Sequence, residues 1–172
     1  MIIWLIGISG SGKSVLANKI VSTVRNKKNN VVLIDGDNFR ALFNNDLGYT
    51  INDRKKNAKR ISNFCKFLDD NNIDVVCAIL SIFSETRKWN RENIKNYYEV
   101  FIDTPVDDVK KRDVKGIYKD FNEKKIRNVV GQDIKFNKPE NPDLIIKNNG
   151  SLNEFLDYSK IIAEKITKID KI

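Results

Sequence analysis

Three stretches of this chain carry residue types that do chemistry at the spacing the chemistry needs. The first, Gly7 to Ser14, reads GISGSGKS and fills the pattern G-x-x-x-x-G-K-[ST] at every fixed position. Glycines at 7, 10 and 12 let the backbone, with Ser9 and Ser11 between them, wrap N–H groups around phosphate oxygens. Lys13 then reaches the β and γ phosphates, and Ser14 offers its hydroxyl to Mg²⁺. ATP with Mg²⁺ is the expected occupant. The plainer alternative, a glycine-rich turn that merely links a strand to a helix, is disfavoured by the apolar run before the pattern and the helical spacing after it.

The second stretch, VVLIDGDNFR at residues 31 to 40, runs four apolar residues into Asp35 and Asp37, with Arg40 three positions later. Carboxylates at the end of a buried strand are costly unless hydrated, paired, metal-bound or catalytic. Phosphoryl transfer to a hydroxyl uses such groups: Asp37 is the candidate to orient the acceptor and take its proton, and Asp35 to hold a metal-bound water or orient its neighbours. Asp, Gly and Asn are also the usual turn residues, so DGDN on its own reads equally as a turn. The third set is cationic. Arg40 and Arg54 are plausible bidentate anion clamps, or solvated helix residues.

The chain has no histidine, and its two cysteines, Cys65 and Cys77, have neither metal-ligand nor redox spacing. Catalysis must therefore use carboxylate, lysine, hydroxyl or a bound metal. A switch GTPase is disfavoured because no NKxD base-reading motif occurs; NKKN at 26 to 29 lacks the acid and lies too early.

The elements that must position these groups follow from the apolar pattern. Runs of strand length occur at residues 2–6, 31–34, 75–80, 100–102 and 144–147. Helical spacing places Ile61, Phe64, Cys65 and Leu68 on one apolar face, and Leu152, Phe155, Leu156 and Ile162 on another. Thr104 as cap with Pro105 in the first turn opens a helix over 106–112, and Ser151 with Glu154 forms a capping box before the last helix. Continuous apolar strands alternating with helices predict an α/β fold, a doubly wound parallel sheet with helices on both faces. Ligands bind such sheets beyond the carboxyl ends of the strands. Gly7–Ser14, Asp35–Arg40, Ser81–Arg87 and Asp103–Thr104 should therefore converge. The stretch from about 113 to 142, rich in Lys, Asn and Gly, reads as a lid.

At 172 residues the chain fits a single domain over 1–172. Its net charge of +8 suits polyanionic partners, although lysines scattered among asparagines suit a solvated surface as well. No apolar run is long enough to span a membrane, and MIIWLIGISG lacks the basic start of a signal peptide, so a cytoplasmic address is expected.

The motifs GISGSGKS, DGDNFR, NNDLGY, DRKKN, FIDTP, RDVKGIYK and KPENPDL, in this order and spacing, resemble the adenylylsulfate kinase family over nearly the whole chain. That resemblance implies a P-loop nucleoside-kinase-like fold and transfer of the ATP γ-phosphate to the ribose 3′-hydroxyl of a nucleoside 5′-anhydride. It implies Asp37 near the acceptor hydroxyl, and Arg40, Arg54 and Asn57 on the substrate's 5′ anionic group and ribose. It also implies Arg112 and Lys115 in a lid over ATP, and a homodimer.

The chain departs from the family pattern on the acceptor side. ILSIFS at 79–84 replaces FISPYR, keeping Ser81 as an acceptor contact. Of the aromatic pair that sandwiches adenine in the family, one position is Tyr49 and the other is Val129. Loss of one ring removes stacking area a purine would use. The change fits a smaller base, as in the family's relative cytidine diphosphoramidate kinase of capsule phosphoramidate synthesis. The alternative keeps adenylylsulfate as acceptor, with the changes as drift. A polynucleotide 5′-hydroxyl kinase is disfavoured because no stretch interleaves basic and aromatic residues as a strand-binding groove would. A non-catalytic nucleotide- or RNA-binding module is disfavoured by Lys13, Ser14, Asp35 and Asp37 all being present.

Overall fold

Five apolar runs become the five strands of one parallel sheet. In the computed structural model, which describes residues 1–168, they are β1 (Ile2–Ile6), β2 (Val31–Asp35), β3 (Asp74–Ile79), β4 (Tyr97–Asp103) and β5 (Leu144–Lys147). The sheet order is β2-β3-β1-β4-β5, every pair parallel. Parallel strands need crossovers, and the helices supply them: α1 (Lys13–Arg25), α2 (Gly36–Ala41), α3 (Ile51–Asp70), α4 (Ser84–Asn93), α5 (Val106–Arg112), α6 (Ile117–Asn122) and α7 (Leu152–Lys168).

The central strand shows how the core forms. All five residues of β1 are fully buried, and their side chains alternate between two layers. Ile3 and Leu5 join Leu16, Ile20, Phe155 and Ile162 of α1 and α7 on one face; Ile2, Trp4 and Ile6 join Ile61, Cys65 and Leu68 of α3 on the other. A third cluster of Ile8, Val109, Tyr118, Val129 and Val130 binds the segment between α5 and β5 to the main body. No helix among the described residues is long and apolar enough to cross a membrane.

The predicted faces hold with two exceptions. Phe64 is 39% exposed, leaning on Phe39 with ring centroids 5.6 Å apart, and Leu152, the first residue of α7, is 61% exposed. The Ser151–Glu154 box forms in both directions: Ser151 N donates to Glu154 Oε2 (3.0 Å) and Glu154 N to Ser151 Oγ (3.3 Å). The expected Thr104 cap does not form. Pro105 occupies the cap position of α5, and the Thr104 hydroxyl donates instead to Ser11 O (3.4 Å), a bond across to the loop after β1.

From β1 the chain steps outward to β2, then reverses and returns through β3 and past β1 to β4 and β5. The connection leaving β1 thus runs opposite to those leaving its two neighbours, β3 and β4. The carboxyl ends of these three strands therefore open into one crevice, as sheets of this kind do at their switch point. Ile162→Ala, at a fully buried position between α7 and α1, is expected to cost about 2–5 kcal/mol. Urea unfolding with an unchanged m-value checks it.

Candidate active site

The loop from Gly7 to Gly12 is shaped by its glycines. Gly12 caps α1 at φ 95°, and a Cβ there would lie 2.9 Å from Phe155 Cε1 and 3.0 Å from Asn148 Nδ2. Carbonyls of the loop are tied down from outside: Asn148 Nδ2 donates to Ser11 O (2.9 Å) and the Tyr118 hydroxyl to Ser9 O (3.1 Å). Ser9, Gly10, Gly12, Lys13 and Ser14 reach a cleft of about 870 Å³, whereas Gly7 and Ser11 lie behind its wall. Ser11 is fully buried and its N–H closes a turn on Ile8 O (3.2 Å), so its part is to shape the loop.

Half-buried Lys13 folds over its own loop and donates to Ile8 O (2.8 Å). Burial, together with the cationic Lys115 nearby and against the pull of Asp35 and Asp37, pushes its pKa down to about 8. An arriving polyphosphate would supply the charge this ammonium lacks.

The two acids divide their tasks. Asp35, the last residue of β2, caps α2 by accepting from Asp37 N (3.0 Å) through Oδ1 and accepts from the Ser14 hydroxyl (2.6 Å) through Oδ2. The turn reading and the functional reading of DGDN are thus both physical, because the cap presents Asp37 at the cleft. Ser14 and Asp35 are hard oxygen donors of the kind Mg²⁺ takes. Among the described residues no group of three His, Cys, Asp or Glu side chains could hold a metal by itself, so phosphate and water oxygens would complete its shell. Asp37 is exposed and receives Lys115 Nζ at 2.6 Å, across 78 positions of sequence. This bond is the largest cause of the raised Lys115 pKa. Lys115, expected over ATP, thus stands at the junction of the two halves of the cleft.

The half of the cleft expected to take the acceptor is cationic at one end and apolar at the other. Arg40, buried, donates to Leu47 O (3.1 Å) and Gly48 O (2.9 Å); Arg54 donates to Tyr49 O (2.9 Å) and Asn128 O (2.8 Å). Both guanidinium groups lie over the Tyr49 ring, 4.9 and 5.3 Å from its centroid. Among the described residues neither arginine has a carboxylate within 4.0 Å. Burial first, and then Arg40, lowers the pKa of Arg54. Asn57, also buried, lines the cleft with an Oδ1 that finds no donor among the described residues. Ile82, Phe83, Ile126, Val129 and Val130 form the apolar wall.

Segment 113–142 crosses both halves, with Lys115 at the junction and 126–130 at the far wall. Arg112 donates to Asn148 O (3.2 Å) and borders the cleft with Gly150 and Leu152. The expected site residues therefore line one cavity, except Gly7 and Ser11. The sequence reading missed Asn148 and Tyr118, which hold the phosphate loop; Asn148 directly follows a strand, a position that could have drawn notice.

The sequence profile of the adenylylsulphate kinase family matches residues 1–147. Cytidine diphosphoramidate kinase of Campylobacter jejuni is 37% identical over 168 residues, covering 96% of this chain and 95% of that protein. Adenylyl-sulfate kinase of Pseudomonas aeruginosa is also 37% identical, over 147 residues and 84% and 75% of the two chains. The chain spans about a quarter (24%) of the bifunctional NodQ enzyme of Rhizobium tropici, to which it is 38% identical. The Mycobacterium tuberculosis APS kinase, solved with AMPPNP and APS, superimposes with a TM-score of 0.86 at 30% identity, over 96% of each chain.

A lysine with a pKa near 8 predicts a pH signature for nucleotide binding. Bound phosphate raises that pKa, so binding takes up a proton above pH 8. AMPPNP affinity, measured by calorimetry from pH 7.5 to 9.5, should be flat at first and then weaken by up to about tenfold per pH unit. Lys13→Arg should remove the slope.

Proposed function

The chain belongs to the adenylylsulphate kinase family of ATP-dependent phosphotransferases, and we propose that it phosphorylates the ribose 3′-hydroxyl of cytidine 5′-diphosphoramidate. The observation that carries the reading is the acceptor half of the cleft. Two arginines with no carboxylate within 4.0 Å among the described residues call for a dianionic 5′ group, and an aliphatic wall at Val129 and Ile82 gives a small base contact without the second ring a purine would stack on. Asn57 Oδ1 calls for a donor, which an amino group or ribose hydroxyl of the acceptor supplies. Adenylylsulfate is the second reading, supported by Tyr49 and by the equal identity to the Pseudomonas relative.

In this proposal ATP lies on Ser9–Ser14, with Arg112 beside its nucleoside. Mg²⁺ would be held by Ser14 and, through water, Asp35, and supplies charge neutralisation at the phosphates. Lys13 and Lys115 bear on the transferring group. Lys115 leaves Asp37 for the phosphoryl oxygens as segment 113–142 closes, freeing the Asp37 carboxylate for the 3′-hydroxyl. The hydroxyl oxygen forms the new bond to the γ-phosphorus, the bond to the β-phosphate oxygen breaks, and the hydroxyl proton passes to Asp37. ADP and the 3′-phosphorylated nucleotide leave. A water-excluded site matters, because ATP would otherwise be hydrolysed.

ADP release with cytidine 5′-diphosphoramidate and with adenylylsulfate at matched concentrations tests the substrate: the cytidine compound is expected to be used faster. Preference for adenylylsulfate would overturn the choice of base and leave the chemistry standing. Asp37→Asn should lower kcat by about 10²–10⁴-fold with AMPPNP affinity little changed. Near-normal turnover would remove Asp37 from the proton transfer.

A further inference from the structure

Ser81 sits where β3 ends and the cleft begins, and it is held in a conformation its type disfavours. Its φ is +50°, the left-handed region that serine rarely adopts, and the residue is only 8% exposed. Such backbone persists where the surroundings over-determine it. Two buried side chains do so here. Trp4 Nε1, from the core strand β1, donates to Ser81 Oγ at 3.0 Å, and Arg87, from α4, donates through a guanidinium nitrogen to Ser81 O at 2.7 Å.

Both clamps are anchored from below by the same pair. The Trp4 ring lies 6.1 Å from that of Tyr97, whose hydroxyl donates to Glu99 Oε2 at 2.9 Å. Arg87 Nε stands 3.9 Å from Glu99 Oε1, and Glu99 is 3% exposed. A tryptophan in an apolar strand needs no polar partner to be a good core residue. This one spends its single donor on the cleft-lining serine.

The direction of that bond has a consequence. An indole N–H only donates, so Ser81 Oγ must accept from it, and the Ser81 hydroxyl proton is left over. Among the described residues no hydrogen bond uses that proton. We propose that Trp4 and Arg87 are positioning residues for the acceptor: together they hold Ser81 in its left-handed turn and set its hydroxyl as a hydrogen-bond donor to an oxygen or ring nitrogen of the bound nucleotide. The inference rests on the reading of this half of the cleft as the acceptor site.

Trp4→Phe keeps an aromatic ring in the core while removing the donor, at the cost of a small cavity, and Ser81→Ala removes its recipient without touching that packing. Each is expected to raise the acceptor KM about tenfold while leaving the ATP KM within about twofold, the scale of one hydrogen bond. Once Ser81 is alanine, Trp4→Phe should add nothing, since the two act as one unit. Arg87→Gln should raise the acceptor KM further, with partial rescue by Arg87→Lys. Additive effects of Trp4→Phe and Ser81→Ala, or equal rises in both KM values, would overturn the proposal. If Trp4→Phe does not fold, the native packing still reports. With Trp89→Phe, Trp4 is the sole tryptophan of the two in the chain, and its emission should change when acceptor joins the ADP complex but not when AMPPNP binds alone. An unchanged emission at saturating acceptor would overturn the role. A wild-type chain that turns over neither acceptor would overturn the functional reading, and this role with it.

Discussion

Positive charge without a counter-ion is the constraint on which the acceptor half of this protein depends. Arg40 and Arg54 face the same cleft, share the ring of Tyr49, and have no carboxylate within 4.0 Å among the described residues. Their N–H groups are partly satisfied by backbone carbonyls of residues 47–49 and 128, which fixes their direction but leaves their charge. Holding cations this way without a carboxylate partner is unfavourable and becomes favourable beside a dianion. On the proposed reading, binding energy is thereby concentrated on the 5′ end of the acceptor, away from the base.

The donor half solves the opposite problem. Asp35 and Asp37 would repel a triphosphate, and the structure answers with Lys13, Lys115 and the hydroxyl of Ser14. Lys115 links the two halves through its ion pair with Asp37. In the proposed mechanism Asp37 exchanges this ammonium for the acceptor hydroxyl before the proton is passed. The third hydrophobic cluster, with Tyr118 and Val129 in it, makes this contact possible by pinning segment 113–142 to Ile8 and Val109.

Much of this was legible in the residues. The strands appear as apolar runs because both faces of a parallel sheet are buried, and the phosphate loop appears because its chemistry leaves few choices at its fixed positions. What stayed hidden depends on long-range contacts. Thr104 looked like a helix cap because its local sequence is a capping sequence; its hydroxyl instead reaches Ser11, 93 positions away. Lys115 was placed by resemblance alone, over ATP, and its bond to Asp37 crosses elements that no periodicity connects. Trp4 read as an ordinary core residue, since an apolar strand masks a polar contact made by one ring nitrogen. Asp35 and Asp37 were ambiguous between turn and chemistry, and the geometry makes the turn the means of presenting the chemistry.

The most direct measurement is the affinity of the wild-type protein, with ADP present, for cytidine, cytidine 5′-monophosphate and cytidine 5′-diphosphate by calorimetry at constant ionic strength. The account predicts affinity that climbs steeply with 5′ charge, by about 100-fold or more from cytidine to the diphosphate, and that Arg54→Ala removes most of the gain. Equal binding of all three, or a charge dependence untouched by Arg54→Ala, would contradict it.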